Sequence, residues 1–200
     1  MKRIFIAINL PEEVKNKLTD FQREIEDLFE VSPVRWTKKE NLHITLAFLG
    51  NVRDEEIIKI SQTVQRVGLD CQPFSIILNK VCYGPPKTMP PRMIWVEGEK
   101  NEKFKKLQAS LERSLFGSQE EKSFALRQNE MGNPRRTFIP HITLGRIKQW
   151  QWRQIEPEER PEIDKEISLC FSTDSIEVME SKLGPGGPKY TILESVKLGQ

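Results

Sequence analysis

The sequence predicts an α+β protein of two pseudo-symmetric lobes with a cleft between them. Two observations carry this expectation. The word His-Ile-Thr-Leu occurs twice, at His43–Leu46 and His141–Leu144, and those copies hold the only 2 histidines of 200 residues. Each half of the chain also reads strand, helix, HITL strand and further strand, a duplicated architecture without a detectable sequence repeat. Lobes related by an approximate two-fold axis set the two HITL strands side by side, and a shared cleft is the consequence.

The elements follow in order. Arg3–Leu10 alternates and is rich in β-branched residues, as a strand requires. Pro11-Glu12-Glu13 supplies the proline and acidic first turn that open a helix, with Val14, Leu18, Phe21, Ile25 and Leu28 at helical spacing before Pro33. Val34-Arg35-Trp36 and Leu42–Leu49 are expected strands, and Gly50-Asn51 turns the chain into a helix over Asp54–Val67 whose apolar side carries Ile57, Ile58 and Val64. Phe74–Tyr83 and Arg92–Glu97 are strands joined by a proline-rich loop over 84–91, where prolines bar continued pairing. Glu102–Phe116 is a helix, Gly117–Arg136 a polar surface loop, and Phe138–Arg146 the second HITL strand. Glu158–Glu166 is expected as a short acidic segment or helix. Ser175–Glu180 and Tyr190–Val196 close the chain as strands, separated by Leu183-Gly184-Pro185-Gly186-Gly187-Pro188. The whole of 1–200 is expected to form one bilobal domain.

Composition narrows the function classes. Hydrophobic residues make up 37% and charged residues 30%, ordinary for a globular protein. The basic-then-apolar start is cut short by Asn9 and Pro11, which excludes a signal-peptide core and predicts a cytoplasmic protein. No apolar run is long enough to span a bilayer, so no membrane partner is expected. Cys71, Cys82 and Cys170 match no zinc or redox spacing and are read as reduced packing residues. A net charge of +2 lacks the basic excess of a protein that tracks long nucleic acid, yet it permits a short anionic ligand held by local cations. No long apolar helix stripe calls for a partner subunit, so a monomer is expected.

Successive side chains of a strand alternate faces. His43 and Thr45 therefore share one face while Ile44 and Leu46 take the other, and the same holds for His141 and Thr143 against Ile142 and Leu144. A lone histidine in a strand is usually just a satisfied residue, and threonine is a good strand former. Two histidines in identical words at matching places are not explained that way. Two histidines without a carboxylate or cysteine at ligand spacing make a poor zinc shell, and no metal or other cofactor is expected. A serine or cysteine nucleophile leaves the duplication unexplained. Paired imidazoles suit in-line displacement at phosphorus, one taking a proton from the attacking oxygen and the other protonating the leaving oxygen. Thr45 and Thr143 hydroxyls then face the charge gathering on the non-bridging oxygens.

Together with the flanks RIFIAINLP (Arg3–Pro11), VRWTKKENLHITLAFLGNV (Val34–Val52), PRMIWVEG (Pro91–Gly98), FIPHITLGR (Phe138–Arg146) and ESKLGPGGPKYTIL (Glu180–Leu193), the two H-x-T-x words resemble the two-histidine phosphoesterase superfamily. Within it the chain is similar, over nearly its whole length, to the bacterial and archaeal RNA 2′,3′-cyclic phosphodiesterases, historically called 2′-5′ RNA ligases. The resemblance implies α+β lobes, each a mostly antiparallel sheet with helices on its outer face. It implies metal-independent opening of a 2′,3′-cyclic phosphate at an RNA or nucleotide end to a 2′-phosphate and free 3′-hydroxyl. His43 would be the proton donor and His141 the proton acceptor, roles that symmetry alone leaves open. Weak, reversible 2′-5′ RNA ligation, with an RNA 5′-hydroxyl attacking the cyclic phosphate, would be a minor activity of the same site. The stretch Gly117–Arg136 is longer than the family pattern.

By the same resemblance Arg146 is the phosphate-binding arginine, and its guanidinium can clamp two oxygens at once. Its odd offset from His141 points it to the wrong face of a regular strand, unless a bulge at Gly145 re-aims it. Phe48, the matching residue of the first half, is expected in the core. Trp36, Trp150 and Trp152 are the candidates for stacking on a base, although packing is the commoner fate of a tryptophan. The Leu183–Pro188 stretch lacks a P-loop lysine and is read as a tight hairpin near the cleft. Two rival readings stand beside the hydrolase: a module that binds a phosphate end of RNA or a nucleotide without turnover, and an esterase for a non-RNA cyclic phosphate.

Overall fold

Alternating apolar side chains define the strands of this computed structural model, which describes residues 1–86, 88–128, 139–185 and 187–199, with 118–128 as backbone only. The elements are β1 (Lys2–Asn9), α1 (Glu12–Glu26), β2 (Val34–Trp36), a 3-10 turn at Lys39–Asn41, β3 (His43–Val52), α2 (Asp54–Leu69), β4 (Phe74–Gly84) and β5 (Met93–Gly98). They continue with α3 (Glu102–Gln128), β6 (His141–Ile147), a single turn α4 (Gln149–Trp152), a 3-10 turn at Pro157–Glu159, β7 (Asp164–Thr173), β8 (Ser175–Gly184) and β9 (Gly187–Lys197).

The described strands form one antiparallel sheet in the order β7-β4-β5-β6-β3-β1-β8-β9, with β2 added to β6. This order is symmetric about the junction of the two HITL strands, β6 and β3. The halves of the chain are interleaved, however: β4, which follows β3, lies beside β5, and β8 returns to lie beside β1. At the junction β3 and β6 pair at Ile44↔Ile142, and β2 takes the remaining edge of β6 through Val34↔Ile147, Arg35↔Arg146 and Trp36↔Gly145. The sheet is thus continuous, and its two halves hinge on one residue pair.

The two faces differ in chemistry. One packs on the helices: Ile4, Ile6, Ile8, Ile44, Leu46, Ile94, Val96, Ile142 and Leu144 join Leu18, Val64, Phe104 and Leu107 in one buried cluster. The opposite face carries a small cluster of Phe5, Ala7 and Met179 against Tyr190, and it is the face on which the histidines lie. Phe104 is fully buried under the helix-covered face. Phe104→Ala, which leaves a cavity there, is expected to cost about 3–5 kcal/mol in chemical denaturation.

Several boundaries depart from expectation. Asp164–Thr173 is a strand, where an acidic segment or helix was expected only as far as Glu166; Leu169, Phe171 and Thr173 are buried and alternate with exposed Ser168, Cys170 and Ser172. The helix expected to stop at Phe116 resumes beyond a break at Gly117 (φ 68°, ψ 167°) and runs to Gln128, into the stretch expected as loop. The rest of that stretch, 129–136, lies outside the described residues, as does Phe138. Ile58 is exposed rather than on the apolar side of α2.

Candidate active site

Pairing at Ile44↔Ile142 builds the site. Because the strands are antiparallel about that pair, His43 lies alongside Thr143 and Thr45 alongside His141. Ile44 and Ile142 are fully buried on the helix side, so the four polar side chains project together on the other face and are half-buried there. The expected quartet His43, Thr45, His141 and Thr143 is therefore brought together.

Each imidazole is fixed in the same way. His43 Nδ1 lies 2.6 Å from the Asn41 carbonyl oxygen, and His141 Nδ1 lies 3.1 Å from that of Ile139, in both cases two residues upstream. A carbonyl only accepts, so each Nδ1 carries the hydrogen and each neutral ring keeps its lone pair on Nε2. At His43 that nitrogen sits 3.0 Å from Thr45 Oγ1 and accepts the hydrogen bond of its hydroxyl. Asn41 is itself anchored, its Nδ2 donating to the Pro188 carbonyl at 2.7 Å, which ties the β8–β9 hairpin to the first HITL strand. The Leu183–Pro188 stretch is the expected tight hairpin, closed by Gly184↔Gly187.

Aromatic rings wall the histidines. Trp95 stacks on His141 with centroids 4.1 Å apart, while Phe5 and Tyr190 lie 5.1 and 5.2 Å from the His43 ring. Burial pushes the His43 pKa down to about 4, opposed by the bond to Asn41, and the charges of His141 and Lys15 lower it further. Burial also lowers that of His141, but the bond to Ile139 and the Glu97 carboxylate raise it. Glu97 is the direct cross-strand partner of His141, whereas His43 faces the neutral Asn9. That difference breaks the symmetry of the pair.

Two β-bulges decide what else reaches the cleft. On β6, Trp95 pairs with Thr143 but Ile94 pairs with Gly145, so Leu144 is the extra residue. The slip turns Arg146 onto the face of Met93, Trp95 and Glu97, and its Nη1 donates to Met93 Sδ at 3.7 Å. On β3, Ala7 pairs with Thr45 but Ile6 with Ala47, leaving Leu46 extra, and Phe48 then pairs with Phe5. Phe48 is therefore no core residue: it is 39% exposed on the cleft face, its ring 6.0 Å from Phe5. Arg35 is the cross-strand partner of Arg146, and with Arg3 these guanidiniums act on the Tyr190 phenol, whose pKa burial raises and they lower.

The tryptophan candidates fall elsewhere. Trp36 points with Gly145 toward the core, where a Cβ on Gly145 would meet Val34 Cγ1 at 2.4 Å and Trp36 Cε3 at 2.9 Å. Trp152 is 2% exposed, packed on Tyr83 and under Arg160. Trp150 is 63% exposed on α4. The rings that border the histidines are instead Phe5, Trp95 and Tyr190, which strand alternation alone does not single out. Among the described residues no three His, Cys, Asp or Glu side chains gather as a metal site, and no helix is long and apolar enough to cross a membrane.

A LigT-like phosphoesterase family model matches residues 8–95. The RNA 2′,3′-cyclic phosphodiesterase of Methanocaldococcus jannaschii is 31% identical over 196 residues, covering 96% of this chain and 98% of that protein. The enzyme of the same name from Thermotoga maritima is 31% identical over 195 residues, covering 96% and 92%. Among solved structures, that of the Thermus thermophilus protein TT0787 superposes with a TM-score of 0.77 at 28% identity, over 98% of each chain.

Proposed function

Because the chain belongs to the LigT-like phosphoesterase family, we propose that it hydrolyses 2′,3′-cyclic phosphate ends of RNA or nucleotides by acid–base catalysis between its two histidines. The observation that carries this reading is the matched orientation of the imidazoles: each Nδ1–H is held by the backbone carbonyl two residues upstream. His141 Nε2 takes a proton from water, the water oxygen bonds to phosphorus, the P–O3′ bond breaks, and protonated His43 gives its Nε2 proton to O3′. A 2′-phosphomonoester and a 3′-hydroxyl result. No metal enters the step.

The surroundings support this division of roles. The Glu97 carboxylate favours the imidazolium that forms as His141 takes its proton. His43, facing Asn9 and carrying a depressed pKa, releases a proton readily once it holds one, and an anionic phosphate beside it supplies the charge that lets it hold one. Thr45, Thr143 and Arg146 contact the non-bridging oxygens. Ligation is the same displacement with an RNA 5′-hydroxyl in place of water, breaking P–O3′ and leaving a 2′-5′ bond. The protein acts as a cytoplasmic monomer in this reading.

The test is incubation with an oligoribonucleotide ending in 2′,3′-cyclic phosphate in EDTA, with end groups read by mass and phosphatase sensitivity. Conversion to a 2′-phosphate at an unchanged rate with and without EDTA is expected. Binding without conversion would replace the hydrolase by a binding module, and conversion abolished by EDTA would overturn the metal-free route.

A further inference from the structure

Both bulges that aim the cleft residues have their extra carbonyl held by a buried glutamine from a helix of the opposite half of the chain. Gln22 of α1 is 6% exposed, and its Nε2 donates to the carbonyls of Leu144 and Thr37, each at 2.8 Å. Leu144 is the extra residue of the β6 bulge, and its carbonyl also accepts the Thr37 amide at 2.8 Å. Gln108 of α3 is 5% exposed, and its Nε2 donates to the carbonyl of Leu46, the extra residue of the β3 bulge, at 3.4 Å, and to Glu112 Oε1 at 3.3 Å. The arrangement is reciprocal. The helix that follows β1 latches β6, and the helix that follows β5 latches β3.

A bulge takes one carbonyl out of the β5–β6 ladder; at Leu144 the Thr37 amide and the Gln22 amide then share its two lone pairs. The second donor, supplied from a packed helix, favours the slipped register, and the slipped register puts Arg146 on the histidine face. We propose that Gln22 is a positioning residue for the phosphate-binding arginine, holding the Leu144 bulge so that Arg146 points into the cleft. Gln108 is its weaker counterpart for Phe48. The role of Arg146 in this proposal rests on the hydrolase reading; the latch on the bulge does not.

Gln22→Met keeps the length and apolar contacts of the side chain and removes both donors, while Leu144 keeps its bond to Thr37. Against 2′,3′-cyclic AMP, Gln22→Met is expected to lower kcat/KM about 10-fold. In an Arg146→Ala background the same change should alter it less than about 2-fold, because the residue being aimed is gone. Melting temperature should fall equally in both backgrounds, which separates aim from stability. Gln108→Met is expected to do less than Gln22→Met. Equal activity losses in the two backgrounds would overturn the positioning role, as would no loss in either.

A ligand-free readout keeps the latch separate from the chemistry. Hydrogen exchange at the Thr37 and Gly145 amides should quicken in Gln22→Met while β8 amides keep their rates; unchanged exchange at both sites would overturn the latch. Wild-type protein that exchanges as expected but leaves the cyclic phosphate intact would sink the hydrolase reading alone. Should Gln22→Met not fold, Gln22→Asn, which keeps the amide one methylene short, is carried through the same cycle and the same exchange measurement.

Discussion

Replacing either His43 or His141 with alanine will lower kcat by about 10²–10⁴-fold, the range that a positioned general acid or base contributes. The double variant will lose far less than the product of the two, since the histidines serve one proton inventory. The pH profile carries the sharper information. In the proposed mechanism turnover needs His141 neutral and His43 protonated, so the rate is expected to fall at both extremes. In the free protein both imidazoles are depressed, His43 to about 4, so kcat/KM, which reports the free enzyme, peaks below the ordinary histidine value of 6.5. In the complex the phosphate anion favours the imidazolium and moves the kcat optimum upward. A kcat optimum at or below that of kcat/KM would remove the anion from this account. Stability has its own sign: His43 is held neutral in the fold, so its contribution is whole above 6.5 and is lost as pH falls from 6.5 toward 4.

The quartet was legible because it needs only the period of a strand. His-x-Thr puts imidazole and hydroxyl on one face whatever the fold, and the repeated word at matching places names the partner strand. The interleaving of β4 and β8 was not legible, since periodicity says which face is buried and nothing about which strand lies alongside. β7 was obscured by its start, Asp164-Lys165-Glu166, which is exposed and masks the alternation that sets in at Leu169.

The bulges mark the limit most clearly. Gly145 hinted at the one that turns Arg146, because glycine tolerates the close packing of Val34 and Trp36 there. The equivalent slip at Leu46–Ala47 has no such residue, and Phe48, assigned to the core by regular alternation, lies on the cleft face instead. The carbonyl of the extra residue there takes a hydrogen bond from Gln108, a residue far away in sequence. The placement of Trp36 away from the cleft follows from the same geometry: Arg35, paired with Arg146, faces the cleft, and Trp36, paired with Gly145, faces the core.

Arg146→Ala is expected to lower kcat/KM about 10²–10³-fold, as removal of a preorganised donor to a developing oxyanion does, and Arg146→Lys will recover little, because a point charge does not replace a planar fork. Thermal stability should respond in the opposite sense. Arg35 and Arg146 are direct cross-strand partners, and like charges so placed repel. Both are exposed, so the repulsion is screened by solvent, but nothing about folding calls for it. Removing Arg146 will therefore leave the melting temperature unchanged or raise it while activity collapses, and added phosphate will stabilise the wild type more than the variant. A variant both inactive and markedly less stable would make Arg146 a structural residue. A pair of guanidiniums brought onto one face by a latched bulge is a cost to the sheet that a bound anion offsets.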